Sequence, residues 1–214
     1  MPMSRVLKAE ILDALSQDDP AARQSRRELR IINHVMGNFT WFARTVPALL
    51  RPGERVIEIG AGDGGLSARL ERIGVAADGL DLCPAPAGWP AGRKWHRCDV
   101  REFDGFAAYG VVLANLVLHH FSGRDLAELG GKLRDSVRAI VACEPERRRR
   151  WRFLCAAFRP LVGPVTGHDA RASIDAGFRG AEIARALGLD SAHWNLSCRA
   201  GGIGSSRLVA VRCP

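Results

Sequence analysis

The chain has 214 residues and 23.3 kDa, with 47% hydrophobic and 25% charged residues, which is the profile of one globular domain with a sizeable core. No stretch approaches the roughly 18 consecutive apolar residues of a membrane span. The six cysteines (83, 98, 143, 155, 198 and 213) form no C-x-x-C pair, so reduced thiols in a cytoplasmic protein are expected rather than a disulfide framework or a metal site. The net charge of +8 and pI near 9.8 invite a nucleic-acid partner. Against that, the cations are almost all Arg, with Lys only at 8, 94 and 132, beside abundant Ala and Gly, which a biased coding composition produces without any function.

Met1-Pro2-Met3-Ser4-Arg5 leads into an amphipathic pattern rather than a secretory apolar region. Residues 4–17 place Leu7, Ile11 and Leu15 at helical spacing, and Asp18-Asp19-Pro20 stops that helix. A second helix is predicted from Ala21 to Met36, with Leu29, Ile32 and Val35 on one face and Gly37 as its stop. A third runs from Asn38 to Leu50 before the turn at Pro52-Gly53. The most informative stretch follows. Val56-Ile57-Glu58-Ile59 is an apolar strand that runs into Gly60-Ala61-Gly62-Asp63-Gly64-Gly65, and the next helix begins near Leu66. Glycines here allow a tight turn and a close backbone approach to a ligand. A Walker loop would need Gly-Lys-Ser/Thr, which Gly64-Gly65-Leu66 does not supply. A dinucleotide loop would carry G-x-G-x-x-G, and the Asp63 carboxylate would repel a pyrophosphate. A ligand without phosphate but with a cationic amino-acid end accepts it; a plain Gly-rich strand–helix turn is the alternative.

Val75 to Pro84 reads as a second strand ending at Asp81, about 20 residues after the glycine loop, the distance at which such folds set an acid against ribose hydroxyls. Asp81 as a simple loop cap is the bland alternative. Lys94 to Val100 predicts a third strand ending at Asp99. Val111 to Leu118 is a near-continuous apolar run, as in a central parallel strand, and it meets His119-His120-Phe121 at its carboxyl end. A helix from Gly123 to Asp135 precedes a fifth strand, Arg138 to Cys143, closed by Glu144-Pro145. A basic helix over 147–159, a loop through Gly163, Pro164 and Gly167, and a last helix over Ile183 to Leu189 come next. Two alternating segments, His193 to Arg199 and Arg207 to Arg212, are joined by a Gly-rich turn as a hairpin.

The glycine loop, Gly79-Leu80-Asp81-Leu82-Cys83-Pro84 and Leu118-His119-His120-Phe121 together resemble the Rossmann-like class I methyltransferases, from about residue 30 to 212 and most strongly from 55 to 121. Tyr109-Gly110 departs from the Phe-Asp common in that family before the fourth strand. The resemblance implies an α/β, doubly wound, mostly parallel seven-stranded sheet with a terminal antiparallel strand. Residues 1–52 would form an N-terminal helical cap and 53–214 the methyltransferase domain, as one structural unit. It implies S-adenosylmethionine as cofactor, lined by Glu58, Gly60, Ala61, Gly62, Asp63, Gly64, Asp81, Leu82, Asp99, Val100 and Asn115. Asp81 would take the ribose, and Asp99 the adenine amino group beside the Val100 amide.

For the reaction, a histidine is the natural base for a hydroxyl acceptor near neutral pH. His119 is the expected candidate, with its ring in the cleft and His120 packing or capping; a purely structural pair is the alternative. His168, in the predicted loop after the basic helix, is a second candidate, matched by a simple helix-start role beside Asp169. His120, Asn38 and Trp41 are candidate acceptor contacts, although Trp41 and Phe42 also read as core. Glu144 would face the sheet's carboxyl edge or bond nearby arginines. The expected activity is methylation of a small-molecule acceptor, O- or C-directed on an aromatic, quinone-like or polyketide-like compound. An RNA methyltransferase, motivated by the run Arg147 to Arg150, and a non-catalytic S-adenosylmethionine-binding protein are the alternatives. That run reads first as a solvated helix face.

Overall fold

The computed structural model describes residues 3–16 and 18–214; Met1, Pro2 and Gln17 of the predicted N-terminal segment lie outside the described residues. Seven strands form one sheet: β1 (Val56–Ile59), β2 (Ala77–Asp81), β3 (Trp95–Arg97), β4 (Val111–Asn115), β5 (Ala139–Pro145), β6 (Trp194–Ala200) and β7 (Ser205–Arg212). Their order is β3-β2-β1-β4-β5-β7-β6. Neighbours from β3 to β5 are parallel, and β7 runs antiparallel to both β5 and β6. The chain steps outward from β1 to β3, then restarts at β4 on the other side of β1. That reversal opens a crevice at the carboxyl ends of β1 and β4, where ligands bind in folds of this kind.

The pleat sorts the apolar residues onto two faces. Ile57, Ile59, Val112, Ala114, Ile140 and Ala142 point to one, against Leu126, Leu129 and Leu133 of α5 (Gly123–Ser136) and Ile183 and Ala184 of α8 (Glu182–Ala186). Val56, Val111, Leu113, Val141 and Cys143 point to the other. There they meet Leu66 and Leu70 of α4 (Gly65–Glu71) and Phe42 of α3 (Asn38–Thr45). Helix α3 therefore shares a core with the sheet. Among the described residues no helix is long and apolar enough to cross a membrane.

Two predicted elements differ. The amphipathic pattern over residues 4–17 yields only a single turn, α1 (Ile11–Ala14). Val6, Leu7 and Ile11 have no surface to bury against and stay exposed. The extended backbone is held by polar contacts instead: Val6 N–H donates to Asp175 O at 3.0 Å, and the Ile11 and Leu12 amides donate to the Asp169 carboxylate at 2.8 and 2.9 Å. Conversely, the predicted loop through Gly163, Pro164 and Gly167 opens helix α7 (Pro164–Ala176). Pro164 stands in its first turn, where a missing N–H costs nothing. Smaller shifts follow tertiary pairing: β5 runs on through Glu144 and Pro145 because β7 pairs with both, and α3 stops at Thr45. The second helix, α2 (Pro20–Val35), is capped by the Asp19 carboxylate, which accepts from the Ala21 and Ala22 amides.

Candidate active site at the switch point

The turns leaving β1 and β4 meet across the crevice. Gly60 has φ +64°, and a Cβ added there would lie 2.4 Å from Val117 Cγ2, so only glycine fits on both counts. The Ala61 amide bonds to Leu80 O at 3.1 Å. Asp81 closes the arrangement: its Oδ2 accepts the Gly62 amide and its Oδ1 the Cys83 amide, each at 2.8 Å. A carboxylate offers about four lone-pair sites. Each Asp81 oxygen thus keeps acceptor capacity beyond the one amide it holds.

Asp63 accepts the Gly65 amide at 3.1 Å and pairs with Arg30 of α2, also at 3.1 Å. Opposite charges thus stand together over the loop. Glu58 does not reach the crevice as expected. It is buried beneath the loop, accepts the Ser67 hydroxyl at 2.6 Å, and burial pushes its carboxyl up to about 8, with Asp63 and Asp81 adding to the rise. It is a neutral acid under the floor. Leu82 projects outward, 68% exposed, while the Val100 side chain is in the core. Asp99 is gripped by its neighbour Arg101, whose Nε lies 3.0 Å from both carboxylate oxygens and whose amide donates to Oδ1. This pairing holds its carboxyl below the usual range and takes the lone pairs expected to meet an adenine amino group.

The turn after β4 is built on Glu144, which is fully buried. Its Oε1 accepts the Val117 and Leu118 amides at 3.0 and 2.9 Å, and its Oε2 accepts the His119 amide at 3.2 Å and Nδ1–H at 2.7 Å. Leu116, at φ +55°, is the one non-glycine residue with positive φ among the described residues, a strained geometry that surrounding bonds must hold. The Leu116 amide bonds to Cys143 O at 2.9 Å.

His119 is not the cleft-facing base the sequence suggests. It is 3% exposed, with Nδ1 on Glu144 and Nε2 3.3 Å from Glu10 Oε1. Burial would lower its pKa, but the two carboxylates overrule it and hold the ring at about 9. At neutral pH it is an imidazolium and accepts no proton. His120 is the exposed member of the pair, with Nδ1 3.3 Å from Asp13. His168 lies on α7 rather than in a loop, about half exposed, its Nδ1 2.8 Å from Asp169 Oδ1. Asn38 is fully buried: its Nδ2 donates to Asn33 Oδ1 at 3.1 Å and its Oδ1 accepts from Cys143 Sγ. Asn115 Nδ2 joins the same Asn33 oxygen at 3.2 Å, and Asn115 Oδ1 is buried without a partner. Asn38 is therefore a pin between α3 and the sheet. Trp41 does line a cavity of ≈ 400 Å³ between the α2–α3 corner and the β6–β7 turn, with Met36, Arg44, Ile203 and Arg207. The Arg207 guanidinium sits 5.1 Å over its ring.

Sequence reasoning missed Glu10, Arg30 and the part played by Glu144, each of which acts across a long separation in the chain that no local spacing marks. The basic run is the solvated face expected at Arg148, Arg149 and Arg150, the first and last of which pair with Glu146, whereas Arg147 is buried on Glu182.

No family model matches the sequence, and no curated protein is similar to it. The fold is nevertheless that of known structures. The plantazolicin methyltransferase BpumL, in complex with a triazolic desmethylPZN analogue and SAH, superposes with a TM-score of 0.68 at 12% identity, over 95% of this chain and 96% of its own. Magnesium protoporphyrin IX methyltransferase from Synechocystis PCC 6803 with bound SAH gives 0.58 at 16% identity, over 94% and 91%. The pyocyanin biosynthetic protein PhzM gives 0.62 at 16% identity, over 96% of this chain and 62% of that protein. The architecture is the Rossmann-like methyltransferase fold.

Proposed function

We propose that this protein is an S-adenosylmethionine-dependent methyltransferase acting on a small-molecule acceptor. The observation that carries the reading is Asp81, fixed by the Gly62 and Cys83 amides at the switch point with acceptor capacity left over. That geometry suits the two hydroxyls of a ribose. Gly60 keeps the floor of the crevice free of a side chain, and the Asp63–Arg30 pair matches the opposite charges of an amino-acid zwitterion. Two of the similar structures hold SAH.

The bound cofactor supplies a methyl group already activated by its positive sulfur, so the chain's task is alignment and exclusion of water. The cavity beside Trp41 supports an aromatic or quinone-like acceptor, with O- or C-directed transfer: its wall combines an indole ring, apolar Met36 and Ile203, and the cations of Arg44 and Arg207. The RNA alternative is less favoured, since Arg147 is buried on Glu182 and Arg148 and Arg150 pair with Glu146.

Calorimetric titration with S-adenosylhomocysteine tests the reading. Asp81→Ala is expected to weaken binding by about 1.5–3 kcal/mol, the loss of hydrogen bonds to a charged group, with the far-UV spectrum unchanged. No binding by the wild-type protein, or equal affinity in the variant, rejects it. Labelled S-adenosylmethionine offered with a phenol and quinone library, and separately with tRNA and rRNA, then decides the acceptor class. Label on RNA alone rejects the small-molecule reading. Binding without transfer to any acceptor leaves a cofactor-binding protein.

A further inference from the structure

The N-terminal strap brings Glu10 against the histidine pair at the end of β4. His119 Nε2 is 3.3 Å from Glu10 Oε1, and His120 Nε2 is 4.0 Å from Glu10 Oε2. One ligand atom from each of Glu10, His119 and His120 can be chosen so that all lie within 4.8 Å of one another. His119 Nε2 is buried, points into this cluster and stands at ion-pair distance from the carboxylate without hydrogen-bond alignment. Each ring also has its other nitrogen on a carboxylate: His119 Nδ1 on Glu144 at 2.7 Å and His120 Nδ1 beside Asp13 at 3.3 Å. We propose that Glu10, His119 and His120 form a binding site for a borderline divalent transition cation of the zinc type, fastening the N-terminal strap to the turn after β4.

Four observations support this assignment. First, the spacing fits. Ligands about 2.0–2.1 Å from a tetrahedral ion stand about 3.3 Å from one another, which is the His119–Glu10 separation, and His120, a surface side chain paired with Asp13, closes the remaining gap by a small shift. Second, the donor set suits the metal class, because two imidazoles and one carboxylate favour zinc-like ions over magnesium or calcium, which prefer all-oxygen shells. Third, the outer partners are in place. Metal-bound histidines characteristically donate their other N–H to a carboxylate, which fixes the tautomer and makes the ligand nitrogen more basic. Here Glu144 and Asp13 stand where that is required.

Fourth, the charges balance. Glu10, Asp13 and Glu144 bring three negative charges, and Arg5 lies among them, its Nη2 donating to His119 O and Phe121 O at 3.2 and 2.8 Å. A dication and Arg5 together offset the three carboxylates. On binding, the hydrated dication gives up water molecules, which the two imidazole nitrogens and the Glu10 carboxylate replace. Three protein ligands leave a fourth position for solvent. The site does not depend on the methyltransferase reading.

The full-length protein, stripped of metal with a chelator and dialysed, is titrated with Zn²⁺ by calorimetry, and with Co²⁺ followed by visible absorption. The expected results are one tight equivalent and a cobalt spectrum of low-coordinate nitrogen–oxygen type without a sulfur-to-cobalt charge-transfer band. His120→Ala, at an exposed position, and Glu10→Gln should each lower affinity by more than the roughly 10–100-fold that loss of an outer carboxylate costs, while Asp13→Asn falls within that range. His193→Ala, which removes an exposed histidine already paired with Asp190, should leave the tight equivalent untouched. Absence of a tight equivalent, a thiolate-type cobalt band, or wild-type affinity in either His120→Ala or Glu10→Gln overturns the assignment. His120→Ala alone is decisive if Glu10→Gln fails to fold.

Discussion

Glu144→Ala is expected to destabilise the protein by about 3–5 kcal/mol, the cost of removing one partner of a buried ion pair. The Glu144 carboxylate accepts three backbone amides of the turn after β4 and the Nδ1–H of a buried imidazolium. Truncation strands these four donors, three of them fully buried, and leaves His119 with Glu10 alone. It also frees the turn that follows the strained Leu116, whose own amide stays on Cys143 O. Urea unfolding followed by far-UV circular dichroism at pH 6 gives the measurement. A loss of less than about 1 kcal/mol, the ordinary worth of a single hydrogen bond, would mean that the turn is held by packing rather than by the carboxylate. Glu144→Gln should fall between, since the amide oxygen still accepts two amides while its NH₂ faces two donors. A purely steric role for Glu144 predicts instead that Gln is neutral.

The sequence carried the sheet well and the site unevenly. Strands β1, β2 and β4 were legible because each is an apolar run that ends at a chemically marked residue, Gly60, Asp81 or the His119-His120 pair, and because a parallel sheet buried on both faces leaves little choice of residue. The helical pattern before Asp18 misled. Period alone does not supply a partner surface, and the backbone of residues 6–12 found better hydrogen bonds on Asp169 and Asp175 O. Pro164 and Gly167 read as breakers because their meaning depends on whether a helix starts there. The site roles failed for a different reason. Whether Glu58, Asp99 or His119 faces a ligand depends on who else claims its lone pairs, and the claimants differ widely. Arg101 is two residues from Asp99 and could have been weighed. Glu10 and Glu144 reach His119 through tertiary contacts that no spacing records.

Stability is expected to fall as pH rises from about 6.5 to 8, even though this is a range in which most proteins are near their maximum. Two buried groups drive it in the same direction. His119 is raised to about 9 by Glu10 and Glu144 against the lowering effect of burial, from an ordinary 6.5. Its contribution is complete below about 6.5 and is lost as pH climbs through about 9. Glu58 is raised by burial to about 8 from an ordinary 4.5. Above about 4.5 the unfolded chain ionises this carboxyl while the native state keeps the proton, so the cost grows until about 8 and is constant beyond. Between those limits the native state holds more protons than the unfolded chain from both groups. The slope is then up to about 1.4 kcal/mol per pH unit for each. His96, which burial lowers from an ordinary 6.5, opposes the decline only in the lower part of this range, where the unfolded chain is still losing its proton, and the Cys143 thiol, pushed up to about 12 by burial, acts only above its ordinary 9.0. Urea unfolding at pH 6.5, 7.2 and 8.0, with chelator present so that no metal competes for His119, should show the decline. Glu58→Gln removes one of the two groups and keeps an acceptor for the Ser67 hydroxyl, so it should roughly halve the slope and be more stable than wild type at pH 8. A flat wild-type profile across the window would mean that water reaches both groups in solution. An unchanged slope in Glu58→Gln would assign the whole effect to the imidazolium beneath the N-terminal strap.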